Sequence, residues 1–164
     1  SGVHDLLPNR VGGAAMQKNL ETLGDIQYTQ EEIDFALELQ RNNGKPELGI
    51  DGKIRPLRET LNSPGGGSTD SGDVSYNVPV VSLAATTAPK GVPWHSWSVV
   101  ASSGMSIGHK GMLHAAKALG MTMVDIFKDS KLREDIKKEF DEKIGEYDYD
   151  PYLDPGPPPI DYVD

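Results

Sequence analysis

A run of glycine and proline residues in the first half of the chain limits most strongly where helices and strands can form. These residues are Gly44, Pro46, Gly49, Gly52, Pro56, Pro64, Gly65, Gly66 and Gly67. Because glycine and proline interrupt regular elements, their density predicts one long ordered loop over residues 44–73. Loops of this length inside a compact domain are usually functional, so we expect it to contribute to a binding or catalytic site.

Helix signals precede this loop. Asn9 is a good N-cap residue, and the apolar periodicity that follows it predicts a helix ending at Gly24. Thr29 and Glu32 have the spacing of a capping box, and the helix that they begin is expected to end at residues 42–44. Two helices are therefore predicted before the loop.

Strands and helices are both predicted after the loop. Residues 78–85 and 96–101 are rich in β-branched side chains and are separated by a turn at 88–91, which is typical of two buried strands. Apolar residues then recur at helical spacing over residues 104–127, and Ser130 is placed to cap a further helix. The apolar stripe, expected to be the main wall of the core, is Met112, Ala116, Leu119, Met123 and Ile126. These elements predict an α/β fold whose strands bury Val80, Val81, Leu83, Val99 and Val100.

Charge excludes several kinds of partner. The 164 residues suit one domain core, and a net charge of -9 with a pI ≈ 4.8 argues against nucleic acid and against an anionic membrane. From Asp125 onward, 13 acidic against 6 basic residues give -7, which predicts a solvated acidic surface rather than a dedicated cation or partner site. The proline-rich residues 155–160 are expected to pack on the protein's own surface, to be disordered, or to form a polyproline recognition segment.

The lack of cysteine bears on where the protein is located, and the first residues bear on whether the chain is part of a longer polypeptide. Without cysteine there are no disulfides and no thiol chemistry, which favours a cytoplasmic location. No stretch is apolar enough to span a bilayer, and the start does not resemble a secretory signal. A start at Ser1-Gly2 instead of Met is typical of a piece of a longer polypeptide.

Two short motifs can carry chemistry, and each also has a purely structural interpretation. The glycine-rich residues 65–73 can point backbone N–H groups at an anion, or can form a turn whose aspartates bond to their own backbone. No lysine follows where a nucleotide-binding loop needs one. His95, between Trp94 and Trp97, can be a metal ligand, an acid–base group or a hydrogen-bonded structural residue.

A third motif, G-x-S-x-G around Ser106, has the spacing of a hydrolase nucleophile elbow. That mechanism needs an acid and then a histidine after the serine, but His109 and His114 both precede the next acid, Asp125. We therefore expect Ser106 to cap the helix instead. About 140° separates the two histidines around a helix, so they cannot hold one ion. His114 is expected to face solvent, and His109 to be a second-sphere group or a helix-terminus cap.

Several short motifs follow one another along the chain in the order found in one family of enzymes. They are Leu-Leu-Pro-Asn at 6–9, the helix start at 28–36, Gly-Ser-Thr-Asp-Ser-Gly-Asp-Val-Ser at 67–75, Pro-Trp-His-Ser-Trp at 93–97, and Ser-Ile-Gly-His-Lys-Gly at 106–111 followed by 115–119. Together they resemble the C-terminal part of M20-family metallopeptidases, in the branch of aminobenzoyl-glutamate hydrolases and amidohydrolases. The resemblance runs from about Val3 to Phe140.

The resemblance implies a partial three-layer α/β catalytic domain of the zinc-exopeptidase type. Residues 1–8 would end a lid-domain strand, 9–145 would form the C-terminal half of the catalytic domain, and 146–164 would be an acidic, proline-rich tail. Two divalent metal ions, Zn or Mn, would be bridged by the attacking water, and the general base and most ligands would lie outside this chain. His95 matches a late metal ligand of the family. The substrate-binding segment that the resemblance implies is Gly66, Gly67, Ser68, Thr69 and Asp70, with His109 as a second-sphere group.

The function implied is that of a C-terminal segment of a metal-dependent amidohydrolase. Its substrates would be small amides or dipeptides, of the N-acyl amino acid or aminobenzoyl-glutamate type, and the intact enzyme would be a homodimer or hetero-oligomer. The alternative is a non-catalytic half-domain that serves as a subunit or interaction module. The 164-residue chain alone is expected to bind no metal tightly and to be inactive, because one histidine is too few for a catalytic site.

Overall fold

The structure, a computed structural model, describes residues 2–57, 69–153 and 156–157. Its helices are α1 (Arg10–Leu23), α2 (Gln30–Asn42), α3 (Ser71–Ser75), α4 (Trp97–Ser103), α5 (Ser106–Lys128) and α6 (Ser130–Ile144). The longest helix, α5, packs against α1, α4 and α6, and α1 also packs against α6. None of the helices in the described part combines the length and the apolar character needed to cross a bilayer.

The predicted boundaries of α1 and α2 are confirmed, because the caps that set them are local. The Asn9 side chain accepts a hydrogen bond from the Gly12 N–H at 2.8 Å, and α1 ends at Gly24 with a φ of 75°. The capping box of Thr29 and Glu32 begins α2. The prediction that Ser130 caps α6 is wrong by one residue: Ser130 is the first helical residue, and the cap is Asp129, whose side chain accepts from Leu132 N.

The predicted α/β fold, including the partial three-layer arrangement of the zinc-exopeptidase type, is wrong: the described residues contain no strand. Residues 79–87 have no regular secondary structure, and no backbone–backbone hydrogen bond among the described residues pairs them with a neighbour. Most of 96–101 lies in α4, where Val100 is 72% exposed. Short apolar runs do not distinguish a strand from a helix segment, and the β-propensity of valine is easily overridden by packing.

The predicted core stripe of α5 is also wrong, because it lies largely on the outside. Met112 is 59% exposed and Met123 is 56% exposed. The buried positions of α5 are Ile107, Gly108, Gly111, Ala118 and Thr122. A β-carbon at Gly111 would lie 2.3 Å from the Thr86 carbonyl oxygen, so only glycine permits this approach. The small side chains on this face allow close packing, which the apolar spacing alone does not reveal.

Buried polar side chains join the helices around a small apolar core. The core residues are Met16, Ala36, Leu39, Val92, Ile107, Ala118 and Ile136. The Asn19 amide donates to Thr122 Oγ1 at 3.0 Å and to Asp125 Oδ2 at 2.7 Å, which joins α1 to α5. The Asn9 amide donates to the Ile136 carbonyl at 2.9 Å, which joins α1 to α6. A buried amide that lacks a hydrogen-bond partner is destabilising. The helices therefore keep the relative positions that allow these hydrogen bonds.

Candidate functional site

His95 lies in an exposed loop that leads into α4. Its φ of 59° makes it the sole non-glycine residue with positive φ in the part of the chain that the structure describes. The neighbouring Trp94 and Trp97 are 71% and 60% exposed. A non-glycine residue in the left-handed region is strained by about 1–3 kcal/mol, and such strain concentrates at functional sites. The imidazole is thus exposed and available to a ligand, and two residues near it in the sequence carry exposed aromatic side chains.

The His95 loop is anchored on both sides to the C-terminal end of α2. The fully buried Gln40 amide donates to the carbonyls of Lys90 at 2.8 Å and Gly49 at 3.0 Å. On the other side, Ser98 Oγ donates to Asn43 Oδ1 at 2.9 Å. A strained residue persists only where surrounding contacts fix it, and these contacts hold the residues on either side of His95.

A buried carboxylate links the start of α2 to the start of α5. Glu32, 4% exposed, accepts from Ser106 Oγ at 2.5 Å, from Lys110 Nζ at 2.6 Å and from Thr29 N at 2.6 Å. Burial alone raises the pKa of Glu32, but the hydrogen bonds from Lys110, Ser106 and Thr29 outweigh it and lower the pKa to about 2. The predicted cap role of Ser106 is wrong, because Met105 is the N-cap of α5 and Ser106 instead bonds across to Glu32. A carboxylate with so low a pKa is too weak a base to activate a hydroxyl.

The glycine-rich segment is described only in part. Gly66, Gly67 and Ser68 lie outside the described residues, whereas Thr69 and Asp70 are exposed and precede α3. The Asp70 side chain makes no cap bond to α3, so its carboxylate is open to solvent. No hydrogen bond or ion pair between described residues joins either one to His95, so their shared site stays a prediction.

The described residues do not by themselves bring together a set of metal ligands. Within residues 2–57, 69–153 and 156–157, no three His, Asp or Glu side chains lie close enough together to hold a metal ion. A catalytic metal needs about three protein ligands. His95 can therefore supply one ligand, and the remaining ligands would have to come from elsewhere.

The two histidines of α5 occupy different surroundings. His109 is exposed in the first turn, where its backbone N–H bonds to the Met105 carbonyl at 3.0 Å, and its second-sphere role stays a prediction. The expectation that His114 faces solvent is wrong: it is half-buried and lines a cleft of about 1200 Å³. Its Nε2 is buried without a hydrogen-bond partner among the described residues. No local pattern indicates this cleft, since residues distant along the chain form it.

The cleft lies between α1, residues 51–57 and residues 80–92. Its charged rim centres on Asp51, which pairs with Lys90 at 3.2 Å and with Arg55 at 3.6 Å. The Lys53 N–H is the largest of the contributions that lower the pKa of Asp51, followed by Lys90. The carboxylate is therefore ionised at neutral pH and holds the 51–57 and 80–92 segments together.

Replacing His114 with leucine is expected to stabilise the chain by about 1 kcal/mol. The change removes a buried ring nitrogen that lacks a partner among the described residues, and such groups cost about 1–3 kcal/mol. Urea unfolding of the 164-residue chain measures the difference. His109→Leu, at an exposed position of the same helix, is the control and should stay within about 0.5 kcal/mol of the unmodified chain. A clear loss of stability in His114→Leu would mean that the ring makes a hydrogen bond important for folding.

Comparison with known proteins finds similarity to one part of a hydrolase subunit. The chain is 34% identical over 157 aligned residues to a subunit of p-aminobenzoyl-glutamate hydrolase from Escherichia coli strain K12. The alignment covers 81% of this chain but 33% of that relative, so the chain spans about a third of the relative's length. No protein-family model and no solved structure matches the chain. The chain is thus homologous to a portion of that subunit.

Proposed function

We propose that the chain is a segment of a metal-dependent amidohydrolase that cleaves amide bonds of the aminobenzoyl-glutamate or N-acyl amino acid type. The observation that carries the proposal is the strained, exposed and doubly anchored His95. It lies in a chain that is homologous to part of a hydrolase subunit. Because this chain spans about a third of that relative, the activity would belong to a larger protein.

In this proposal His95 provides a neutral imidazole to a site of two Zn or Mn ions, and residues outside this chain provide the other ligands. Such ions, when bound, lower the pKa of water to near 7 and polarise the amide carbonyl. The segment 66–70 contacts the substrate, with the exposed Asp70 at its C-terminal end. Gln40 and Asn43 hold the loop in place.

Hydrolysis assays of the intact protein that contains this chain test the proposal. The substrates to compare are p-aminobenzoyl-glutamate, N-acyl amino acids and dipeptides, each with the protein as purified, after chelation, and after return of Zn²⁺ or Mn²⁺. We expect cleavage of at least one of these amides, loss of cleavage on chelation, and recovery with metal. Failure of the metal-supplemented protein to cleave any of them would refute the proposal.

The exposed outer surface of α5 bears on the second candidate function, an interaction module, as well as on the first. Four large apolar side chains lie in one stripe of α5, which we call the α5 outer face: Met112, Leu119, Met123 and Phe127. Phe127 is 77% exposed. Contiguous exposed apolar surface marks protein contacts. We propose that the remainder of the same hydrolase packs on this face, whereas in the non-catalytic alternative a separate chain would do so.

Met123→Glu is expected to have different effects in two settings. In the 164-residue chain the side chain is 56% exposed, so the free energy of unfolding should change by no more than about 0.5 kcal/mol. In the intact protein the new carboxylate would be buried, so the free energy of unfolding should fall by roughly 3 kcal/mol or more. Denaturant unfolding of both proteins gives the comparison, with Met123→Leu as the apolar control that should be tolerated in both. Equal, small effects of Met123→Glu in both settings would show that nothing covers the α5 outer face.

A further inference from the structure

The acidic tail is not free of the fold at its start. Residues 146–153, which we call the strap, return to the N-terminal segment and pack on the buried His4. The His4 ring stacks on Tyr152 with centroids 4.2 Å apart and planes 17° apart, and its Nε2 lies 2.9 Å from the Asp150 carbonyl oxygen. Tyr147 and Tyr149 approach the same ring, at 6.1 and 5.4 Å. The proline-rich residues 155–160, for which three arrangements were considered, lie largely outside the described residues, so their arrangement stays a prediction.

The strap also contacts α3 and the residue that follows it. Tyr149 Oη donates to Asp73 Oδ1 at 3.0 Å. The Tyr76 ring lies 5.0 Å from His4 and 5.3 Å from Tyr147. Burial, and then the nearby Asp73 carboxylate, raise the pKa of Tyr149 above its usual value, so the hydroxyl stays protonated as the donor. The strap is thus joined to α3 by one hydrogen bond and by aromatic packing.

The N-terminal segment holds α3 from another direction. Leu7 N donates to the buried Ser75 Oγ at 2.9 Å. At Gly72 a β-carbon would lie 1.8 Å from the His4 carbonyl oxygen, so the two backbones are in close contact there. A helix of five residues is not stable by itself. The position of α3 therefore depends on the chain's N-terminal segment and on the strap.

We propose that the strap positions α3, and with it Thr69 and Asp70, for contact with substrate. The positioning of α3 by the strap is argued from the contacts of Tyr149, Tyr152 and His4. The contact with substrate rests on the function proposed above. Tyr149 is the main positioning residue, because its hydroxyl bonds directly to α3. Tyr152 acts through His4, whose carbonyl oxygen packs against Gly72.

Hydrogen exchange of residues 69–77 in the 164-residue chain tests whether the strap positions α3. Tyr149→Phe and Asp73→Ala should each speed exchange about three- to tenfold, the factor expected for one lost hydrogen bond. The double variant should be no faster than either single one, because both remove the same bond. Asp73→Asn keeps an acceptor oxygen and should restore slow exchange. Tyr152→Ala should speed exchange, whereas Tyr152→Phe, which keeps the stacked ring, is the control and should not.

Kinetics of the intact hydrolase test the part concerning substrate. Tyr149→Phe should raise KM about three- to tenfold and leave kcat within about twofold, since it loosens a binding segment and not the reacting groups. Unchanged exchange in Tyr149→Phe would overturn the role of the strap, whatever the protein hydrolyses. Faster exchange with unchanged KM would overturn the link to substrate. Absence of hydrolysis in the unmodified protein would instead refute the proposed function, and the exchange result would still decide the role of the strap.

Discussion

Replacing His95 with asparagine in the intact hydrolase is expected to lower kcat/KM by at least about a hundredfold. Even residues that only orient a metal ligand cost about 10–100-fold when they are removed, and His95 is proposed to be a ligand itself. Asparagine tolerates the left-handed backbone at this position, so the loss would report the missing imidazole and not a disrupted loop. Steady-state kinetics with saturating metal measure the effect.

Stability provides the control for the His95 variant. Because the side chain is exposed in the 164-residue chain, the free energy of unfolding of that chain should change by no more than about 0.5 kcal/mol when His95 becomes asparagine. A large activity loss with unchanged stability is the pattern of a functional residue. Full activity in His95→Asn would mean that the ligand assignment carried over from the resemblance is wrong.

Replacing Glu32 with glutamine is expected to destabilise the 164-residue chain by about 2–3 kcal/mol. The carboxylate accepts three hydrogen bonds at a buried position, and loss of its charge weakens its bonds to Lys110 and Ser106. The Lys110 side chain is 34% exposed, which keeps the cost below that of breaking a fully buried pair. Urea unfolding at pH 7 measures the change. Glu31→Gln, at the exposed neighbouring position, is the control and should have little effect.

The pH dependence of stability provides a second readout of the same carboxylate. The pKa of Glu32 is lowered from 4.5 to about 2 in the folded chain, so its contribution is present above pH 4.5 and is lost as pH falls toward 2. Between about pH 5 and pH 3, the unmodified chain should therefore lose more stability than Glu32→Gln does. Parallel curves for the two proteins would show that Glu32 titrates normally in the fold.

Local hydrogen bonding explains which parts of the fold can be predicted from the sequence. The cap of Asn9 and the capping box of Thr29 and Glu32 involve residues three positions apart, and their spacing predicts both helix starts. The β-branched content predicts strands, but a strand also requires a partner whose presence no local pattern reports. For α5, both faces carry apolar or small residues, so periodicity predicts the helix but not its buried side.

The candidate site divides in the same way. The motif at residues 93–97 predicts a ligand role for His95, which stays a prediction; the left-handed backbone and exposure of the residue are compatible with it. Its anchors cannot be predicted, because Gln40 contacts a residue 50 positions away and Asn43 contacts one 55 positions away. The hydrogen bond between Glu32 and Ser106 joins residues 74 positions apart, so it cannot be predicted from local sequence either. Local sequence instead favours a cap role for Ser106.

Metal content tests most directly the central claim that His95 completes a metal site whose other ligands lie outside this chain. Elemental mass spectrometry after dialysis should find metal in the intact protein, less in its His95→Ala variant, and almost none in the 164-residue chain. The last value follows from the lack of any three-ligand cluster among the described residues. Stoichiometric metal in the 164-residue chain, or undiminished metal in the intact His95→Ala variant, would contradict the claim.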